Sequence, residues 1–513
     1  MHKYGIKGKM WRAITKIYKR VESCVLINDK STGFFTIEVG VRQGCLLSPI
    51  LFLLFINGLI EEINEKGKGV LYGNIQIRLL LFADDIVLIA ENKEDLEFLI
   101  QITYKYSRKW RFDFNHDKSA VVIFEGSNKQ EPIVYGECKR ECHCGRHWRL
   151  GEQFILETDM YKYLGVESDK KLSFKLFKER LLDKARKSKA RVWNMGMKGG
   201  HLSVKGSVNL WEALVRSNLE YGVQVWGEGK WEKAEVIQRE MGRRILRCRG
   251  STNTEAVMGE LGWWRLETRR EYTKLKYWIA ILLMQETRLV KRVYNHSRVR
   301  FVTRGSNNWA KTIFQLARKY GLQTIWNDEQ IVRQGQEYKS DREISKFWAN
   351  IIYKQVHHRE EAEWKINTQC KPKLRTYKTF KTKLELEPYL LSEQNKYGRY
   401  LYTALRSGTN RLRIETGRWG RPRERVEDRV CLSCMSGEVE DEKHLMLHCR
   451  AHKTLREKMF QDIWIDTQGT CNLAETDLET RWDNLMRGPE GVYRPKIDES
   501  VKKFVRGAMW QRT

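Results

Sequence analysis

The sequence has little of what marks a secreted, membrane-spanning or linker-rich protein. No apolar segment of signal-peptide type follows Met1. The longest apolar stretch, residues 46–60, is interrupted by Pro49, Asn57 and Gly58, so no membrane-spanning helix is expected. No Gly/Ser tract separates domains, and their boundaries are therefore gradual. These absences predict a reducing intracellular location, in which the 11 cysteines are free thiols or metal ligands.

Acidic residues are also too few to balance the basic ones. The 513-residue chain has 94 Lys and Arg against 65 Asp and Glu, a formal charge of +29. That excess predicts a polyanionic partner, with nucleic acid as the first candidate, although a basic ribosomal or membrane-surface protein would show the same balance. With 41% hydrophobic and 31% charged residues the chain is globular, and its length suits about two to four domains.

The apolar run 79–90 is organised around two adjacent carboxylates, Asp84 and Asp85. Its β-branched residues favour a strand, a tight turn and a second strand, with the aspartates at the turn. Adjacent carboxylates repel each other unless a cation binds them, and Mg2+ prefers such oxygens together with substrate phosphates. The simpler alternative is a hairpin whose turn contains aspartates because turns favour them.

The sequence Phe82-Ala83-Asp84-Asp85 resembles motif C of reverse transcriptases, in the form typical of non-LTR (LINE-type) retrotransposons. The resemblance implies that Phe82 and Ala83 lie at the template and that the aspartates bind Mg2+. Residues that match motif B of the family are Arg42, Gln43, Gly44, Ser48 and Pro49. In the family this segment contacts the template and the incoming nucleotide. Pro49 also suits the first turn of a helix over residues 50–63, which Ser48 can cap.

Two later segments are similar to motifs D and E of the same family. The sequence Asn-x-x-Lys-Ser before a strand resembles motif D, which implies that Lys118 protonates the pyrophosphate leaving group and that Asn115 contacts substrate. By residue type alone, Lys118 is a solvated loop lysine. The segment 161–166 resembles motif E, which implies a primer grip at Tyr163, Leu164 and Gly165.

The family resemblance implies RNA-directed DNA polymerase activity by two-metal phosphoryl transfer, with an RNA template, a DNA primer or target and deoxynucleoside triphosphates. That site needs a third carboxylate, from a Phe-x-Asp motif that the family places just before the segment resembling residues 1–11, and none is found here. We therefore expect an incomplete site that an upstream polyprotein segment or separate fragment would complete. The alternative is an inactive nucleic-acid-binding remnant. Nucleus and cytoplasm are the implied locations.

A crowded basic stretch follows the motifs, where the family has a thumb that grips the primer–template duplex. Its basic residues are Lys178, Arg180, Lys184, Arg186, Lys187, Lys189 and Arg191. Only Glu179 and Asp183 offset this charge, so a phosphate-contacting helix face is predicted. The alternative is an ordinary solvated helix face.

Cysteine and histidine residues cluster twice. Cys-x2-Cys followed by His-x4-Cys has the spacing of a tetrahedral zinc site, as in the knuckle region near the C-terminus of LINE-type polyproteins. The predicted zinc ligands are Cys431, Cys434, His444 and Cys449. His448 could replace Cys449 as the fourth ligand or support it. A weaker candidate, in a variable hairpin of the family, consists of Cys138, Cys142, Cys144 and His147.

These observations predict an α+β fold. An antiparallel reverse-transcriptase palm sheet with helices carries the aspartates over 1–170. A helical thumb-like region follows over 171–260, and a helical region of unknown role covers 261–405. A basic strip and a small zinc knuckle occupy 406–452, and a C-terminal tail covers 453–513.

Overall fold

The structure is a computed structural model that describes residues 1–38, 40–42, 44–124, 147–335, 339–392, 394–488 and 493–511. It contains two compact units. Unit 1 comprises Met1–Ser173 and Arg292–Val299, and unit 2 comprises Phe174–Lys291 and Arg300–Thr513. The finer divisions of the C-terminal two thirds stay predictions.

Unit 1 combines a few helices with many short strands. The described helices are α1 (Gly8–Tyr18), α2 (Ser48–Lys66) and α3 (Lys93–Trp110). The strands before the paired aspartates are β1 (Val21–Ser23), β2 (Leu26–Ile27), β3 (Lys30–Ser31), β4 (Phe35–Ile37), β5 (Val70–Tyr72), β6 (Ile75–Ile77) and β7 (Leu79–Phe82). Those after them are β8 (Asp85–Leu88), β9 (Ala120–Val121), β10 (His147–Leu150), β11 (Gln153–Glu157), β12 (Met160–Tyr163) and β13 (Val166–Asp169).

The strands pair locally instead of forming the single antiparallel palm sheet that the sequence predicted. β1 pairs with β4, β2 with β3, β5 with β6, β7 with β8 and β12 with β13, all antiparallel. β11 pairs antiparallel with β10 and parallel with β9. These strands are two to five residues long, and tight turns return most of them onto a sequence neighbour. The described part of unit 1 is thus a set of small sheets around helices.

The core of unit 1 explains why the β7–β8 hairpin folds as predicted. Leu79, Leu81, Ile86 and Leu88 lie on one face of the hairpin and pack against a buried cluster from α2 and α3. Alternating side chains of a strand point to opposite faces, so this apolar face fixes the register. Leu81 pairs with Ile86 across the strands, and the turn that contains Asp84 follows after this last packed pair.

Unit 2 is mostly helical in its described residues, as the sequence predicted. Its helices as far as residue 304 are α4 (Lys175–Val192), α5 (Val204–Leu210), α6 (Ser217–Leu219), α7 (Val223–Trp226), α8 (Glu232–Leu246), α9 (Thr254–Leu261), α10 (Leu266–Leu283) and α11 (Leu289–Arg304). The later ones are α12 (Trp309–Lys319), α13 (Gln323–Asn327), α14 (Asp341–Gln369), α15 (Tyr377–Phe380), α16 (Lys396–Arg406), α17 (Arg413–Thr416), α18 (Lys453–Asp466), α19 (Leu478–Met486) and α20 (Arg494–Trp510). The middle of α11, Arg292–Val299, is counted with unit 1.

Tryptophan builds much of the core of unit 2, where α10 packs on α14 and α20 on both α16 and α18. Trp211, Trp278 and Trp482 are almost fully buried, and the rings of Trp211 and Trp263 stack at 5.3 Å. Burial of such large rings supplies a large part of the stability of the unit. None of the described helices is long and apolar enough to span a bilayer.

Candidate active site and metal centre

The paired aspartates stand at the exposed tip of the β7–β8 hairpin. Phe82 pairs with Asp85 across the strands, which leaves Ala83 and Asp84 as a two-residue turn. Ala83 has φ of +52°, a left-handed conformation that tight hairpin turns require. Phe82, Ala83, Asp84 and Asp85 are all exposed. Both carboxylates are therefore accessible to a cation or to a substrate phosphate.

Two tyrosines of the β12 strand lie beside this tip. Burial, and next the negative charge of Asp85, raises the pKa of both Tyr161 and Tyr163. The Tyr161 hydroxyl also donates a hydrogen bond to the Lys118 carbonyl at 3.2 Å. Segments that resemble motifs C, D and E thus meet in one place. The resemblance to motif E assigns no role to Tyr161, although its position two residues before Tyr163 places both side chains on one face of the strand.

Lys118 is held by a tight turn that begins at Asn115. The Lys118 amide donates to the Asn115 side-chain oxygen at 3.2 Å, and the Ser119 amide donates to the Asn115 carbonyl at 3.1 Å. The Lys118 side chain is exposed. Asn115 therefore has a positioning role in this structure, since its side chain shapes the loop that presents the lysine.

Leu164 and Gly165 form the turn between β12 and β13. Tyr163 pairs with Val166, and the two turn residues have φ of +47° and +81°. Positive φ at both central residues is the geometry of a type I′ hairpin turn, in which glycine is favoured. The predicted primer-grip residues thus occupy the tight turn at the end of the β12–β13 hairpin.

The segment resembling motif B leads into α2. Gly44 has φ of +82°, which favours glycine there. An Arg42 guanidinium nitrogen donates to the Ile17 carbonyl at 3.2 Å, so α1 holds this side chain. Gln43 lies outside the described residues.

Ser48 does not cap α2, contrary to the sequence prediction. It is itself the first residue of the helix, and no side-chain cap is present. Its hydroxyl donates to the Arg42 carbonyl at 2.5 Å, which closes the loop before the helix. Pro49 occupies the first helical turn as expected. The contact with Arg42 could not be read from the sequence because loop closure depends on the whole turn.

Asp84 and Asp85 form a pair of exposed carboxylates. In the described part of the chain no third Asp, Glu, His or Cys joins them in a group that could hold a metal ion. Asp29, the nearest aspartate upstream of Asp84 in the sequence, lies in the β2–β3 turn with φ of +62°. Mg2+ is usually bound by one or two protein carboxylates, and water or substrate phosphate fills its other coordination positions. A pair of carboxylates is therefore enough for one such ion.

Cys431, Cys434, His444 and Cys449 come together in unit 2 as the spacing predicted. Their ligand atoms all lie within 4.8 Å of one another. The Cys431 and Cys449 sulfurs are 3.9 Å apart, and the Cys434 sulfur is 3.4 Å from Nε2 of His444. Three thiols and one imidazole form a donor set suited to tetrahedral metal binding. This Cys3His cluster could hold a metal ion.

The neighbours of the cluster support that reading. A Glu438 carboxylate oxygen lies 2.8 Å from Nδ1 of His444, which fixes the ring so that Nε2 faces the sulfurs. Burial raises the pKa of Cys431 to about 12. At Cys434 burial is outweighed by hydrogen bonding with Ser436, which lowers the pKa of that thiol to about 6. No sequence motif marks Glu438, and only its place in the loop between the two ligand pairs could have suggested it.

His448 is not part of the cluster. Its side chain is exposed, whereas Cys449 is buried, as Cys431 and His444 are. The structure therefore selects Cys449 as the fourth member. The second cluster named from the sequence, Cys138, Cys142, Cys144 and the His147 side chain, lies outside the described residues.

The basic residues of α4 are not equivalent. Phe177, Leu181, Leu182 and Ala185 are buried on the inner face of the helix. Exposed basic residues that recur at helical spacing on the outer face are Arg180, Lys184, Lys187 and Arg191, here called the α4 stripe. Lys178 and Lys189 are instead turned inward, toward the Trp226 ring and Glu240.

Comparison with known proteins finds similarity for the first third of the chain and somewhat beyond. Residues 1–168 match the family model described as reverse transcriptase (RNA-dependent DNA polymerase). Over 222 residues the chain is 23% identical to the probable RNA-directed DNA polymerase from transposon X-element of Drosophila melanogaster, covering 41% of this chain and 22% of that protein. Over 235 residues it is 24% identical to the RNA-directed DNA polymerase from mobile element jockey of the same fly, covering 43% and 23%.

A further relative is the retrovirus-related Pol polyprotein from type-1 retrotransposable element R1 2 of Nasonia vitripennis. It is 23% identical over 243 residues, which cover 44% of this chain and 55% of that protein. The chain spans less than a quarter of the length of the two fly proteins. The family match covers the aspartate hairpin, the Lys118 turn and the tyrosine hairpin. Residues 1–168 are thus similar to reverse transcriptases, and the relatives named here are polymerases and Pol polyproteins of non-LTR retrotransposons.

Proposed function

We propose that unit 1 carries part of the two-metal site of an RNA-directed DNA polymerase, with Asp84 and Asp85 as Mg2+ ligands. The observation that carries this proposal is the exposed aspartate tip, whose Asp85 charge acts on Tyr161 and Tyr163, while the Tyr161 hydroxyl donates to the Lys118 carbonyl. Bound Mg2+ would activate a primer 3′-hydroxyl and neutralise the triphosphate of an incoming deoxynucleotide. The template would be RNA and the primer DNA.

The surrounding residues have distinct proposed roles. Lys118, held by the Asn115 turn, would donate a proton to the leaving pyrophosphate. Phe82 and Ala83 would lie against the template, and the Tyr163–Gly165 turn would hold the primer end. In the segment before α2, the residues proposed to contact the template and nucleotide are Arg42, Gln43, Gly44, Ser48 and Pro49.

A site for two metal ions needs more carboxylate ligands than Asp84 and Asp85 alone supply, so one further carboxylate is required. No such group joins them among the described residues. We therefore propose that catalysis requires a further segment with the Phe-x-Asp motif, as part of the same polyprotein or as a separate fragment. Without it, the chain would act as a nucleic-acid-binding remnant of the polymerase.

Primer extension on an RNA template with Mg2+ tests this proposal. We expect little or no extension by the chain alone and extension when a fragment bearing the motif is added. Asp84→Asn should lower the restored rate by roughly a thousandfold, the scale on which loss of one charge-stabilising group slows a reaction. Asp113→Asn, which changes an exposed aspartate elsewhere in unit 1, is the matched control and should leave the rate unchanged.

Other outcomes would contradict the proposal in different ways. If the chain alone extended the primer and Asp84→Asn abolished that extension, the metal site would be complete. The proposal that a third carboxylate is missing would then be wrong. Restored extension that Asp84→Asn leaves unchanged would remove the aspartate from the chemistry. If the chain showed no extension and also failed to bind the RNA–DNA duplex, both the polymerase proposal and the nucleic-acid-binding alternative would be refuted.

We also propose that the α4 stripe of unit 2 contacts the phosphates of the bound duplex. Its members Arg180, Lys184, Lys187 and Arg191 are exposed on one helix face, as a track of phosphate contacts requires. The stripe would contribute affinity without sequence preference, because phosphates are the same at every position.

Charge removal on the stripe should flatten the salt dependence of duplex binding. Lys184→Gln combined with Lys187→Gln is expected to reduce the slope of log K against log salt by about 1.5 to 2, since each phosphate contact releases a counterion. The control pair Lys346→Gln and Lys354→Gln removes the same charge from exposed positions of α14. Fluorescence anisotropy across a salt series measures both slopes. If the two double variants had the same slope of log K against log salt, the α4 stripe would not be part of the duplex interface.

The Cys3His cluster is proposed to bind zinc as a structural ion. A closed set of four protein ligands with no position left for substrate is typical of structural zinc sites. The ion would join the loop that starts at Cys431 to the helical turn at His444. The free cysteines among the described residues fit the proposed reducing location in nucleus or cytoplasm.

A further inference from the structure

A cleft of about 500 Å3 opens in unit 2 between α8, the loop that precedes α9 and the start of α10. Its size falls in the range of small-ligand sites. Trp231 and Met258 give it an apolar wall, and both are largely buried. Of the residues that the structure describes, none from the segments resembling reverse-transcriptase motifs lines it.

Two residues that line this cleft have buried polar atoms with little or no hydrogen bonding. Oε1 of Gln238 has no hydrogen-bond partner among the described residues, and Oγ1 of Thr252 has only the Cys248 thiol, a weak donor; the two side chains are 1% and 2% exposed. The amide nitrogen of Gln238 is already used, since it donates to the Trp264 carbonyl at 2.9 Å. Buried polar groups are nearly always paired, because an unmade bond costs free energy. Their pairing therefore calls for a ligand that brings hydrogen-bond donors.

The charges around the cleft divide into committed and uncommitted groups. Glu235 accepts the Leu266 and Glu267 amides at 3.2 and 2.9 Å, so it caps α10. By contrast, Lys230 and Lys371 form no ion pair among the described residues. The lining thus leaves cationic groups available for an anion.

The loop at the start of α9 adds donors for an anion and contains further charges. The N-terminal end of α9 favours negative charge through the helix dipole, while the Asn253 side chain already accepts the Glu255 amide at 3.1 Å. Arg243 donates to the Thr252 carbonyl at 3.0 Å and to the Thr254 hydroxyl at 3.3 Å, without a carboxylate partner there. The carboxylates of Glu255 and Glu267 also line the cleft and can accept N–H or O–H donors. The cleft suits a ligand with both an anionic group and several donors.

The same loop adjoins a basic surface with an exposed aromatic ring. The Thr252 amide donates to the Arg249 carbonyl at 3.0 Å, and the Arg249 guanidinium lies 5.4 Å from the Trp419 ring. Trp419 is 59% exposed. Arginines that are exposed on either side of it are Arg411, Arg421 and Arg423. Exposed aromatic rings among arginines are typical of surfaces that bind single-stranded nucleic acid.

We propose that the cleft binds one unstacked nucleotide of a single-stranded RNA that follows the basic surface around Trp419. The phosphate would contact Lys230, Lys371 and the start of α9. Base or sugar donors would pair with Gln238 and Thr252, and the base would lie against Trp231. This inference rests on the proposed function only in that the chain binds RNA.

Titration with ribonucleoside 5′-monophosphates tests the cleft by itself. The background is Asp84→Asn with Asp85→Asn and no added Mg2+, so the proposed polymerase site does not contribute. We expect saturable binding of at least one of AMP, GMP, CMP and UMP by calorimetry. Thr252→Val and Gln238→Leu should each weaken it by about fivefold, while Thr480→Val on exposed α19 should not. Thermal melting confirms that each variant folds.

RNA that contains 4-thiouridine provides a second readout through photo-crosslinking and mass spectrometry. Adducts on the peptides with Trp231 or Met258 support the cleft. Adducts confined to the Trp419 surface would overturn the proposal. So would cleft variants whose affinity for every monophosphate equals that of Thr480→Val. Inorganic phosphate that binds as tightly as the nucleotides would show an anion site only and also overturn it. Loss of RNA binding with monophosphate binding intact would instead refute the proposed function.

Discussion

Cys431→Ser is expected to release the proposed zinc ion and to unfold the segment around the Cys3His cluster. The Cys431 sulfur is almost fully buried and lies 3.9 Å from that of Cys449, so a hydroxyl there removes one of four convergent ligands. Structural zinc in small modules is worth about 10 kcal/mol or more at neutral pH, which makes this one of the largest effects expected in the chain. Zinc content by elemental analysis and the melting temperature measure the two consequences.

His448→Ala is the matched control for the zinc prediction. This histidine lies next to Cys449 in sequence but is exposed, so its removal should leave zinc content and melting unchanged. Glu438→Gln should lower zinc affinity by about 10- to 100-fold, because it weakens the contact that orients His444. If the Cys449→Ser variant kept its zinc and the His448→Ala variant lost it, His448 and not Cys449 would be the fourth ligand.

Arg406→Ala is expected to destabilise unit 2 by about 3–5 kcal/mol, the usual cost of leaving buried charges without their partner. The Arg406 guanidinium is 1% exposed and lies 3.0 Å from carboxylate oxygens of both Glu260 and Glu387. It also lies 4.5 Å from the ring of Phe380 and 5.0 Å from that of Tyr389. The alanine variant would bury two carboxylates with less compensation and leave a cavity beneath the rings.

Urea denaturation followed by tryptophan fluorescence measures the loss. The control is Arg425→Ala, which removes an exposed arginine 2.9 Å from Asp428. Exposed ion pairs contribute little because water screens them, so this variant should unfold like the parent chain. Arg406→Met adds a second comparison, since it restores apolar volume but not charge. An Arg406→Ala midpoint equal to that of Arg425→Ala would show that the network does not stabilise the unit.

The sequence alone predicted the features that depend on local pattern. The alternation of apolar residues around Asp84 and Asp85 predicted their hairpin, because strand side chains alternate between faces and one face must be buried. The spacing of Cys431, Cys434 and His444 predicted a cluster, because short ligand intervals restrict where the sulfurs can lie.

Three-dimensional packing decided what the local pattern left open. The choice of Cys449 over His448 depends on which side chain the helical turn at His444 carries inward. The contact between Tyr161 and the Lys118 carbonyl joins positions 43 residues apart, and that between Arg406 and Glu260 joins positions 146 apart. No pattern within a single segment encodes such pairs, because each partner is selected by the packing of whole helices and strands. The sequence thus determined the chemistry available at each site, and the tertiary structure determined which of those groups meet.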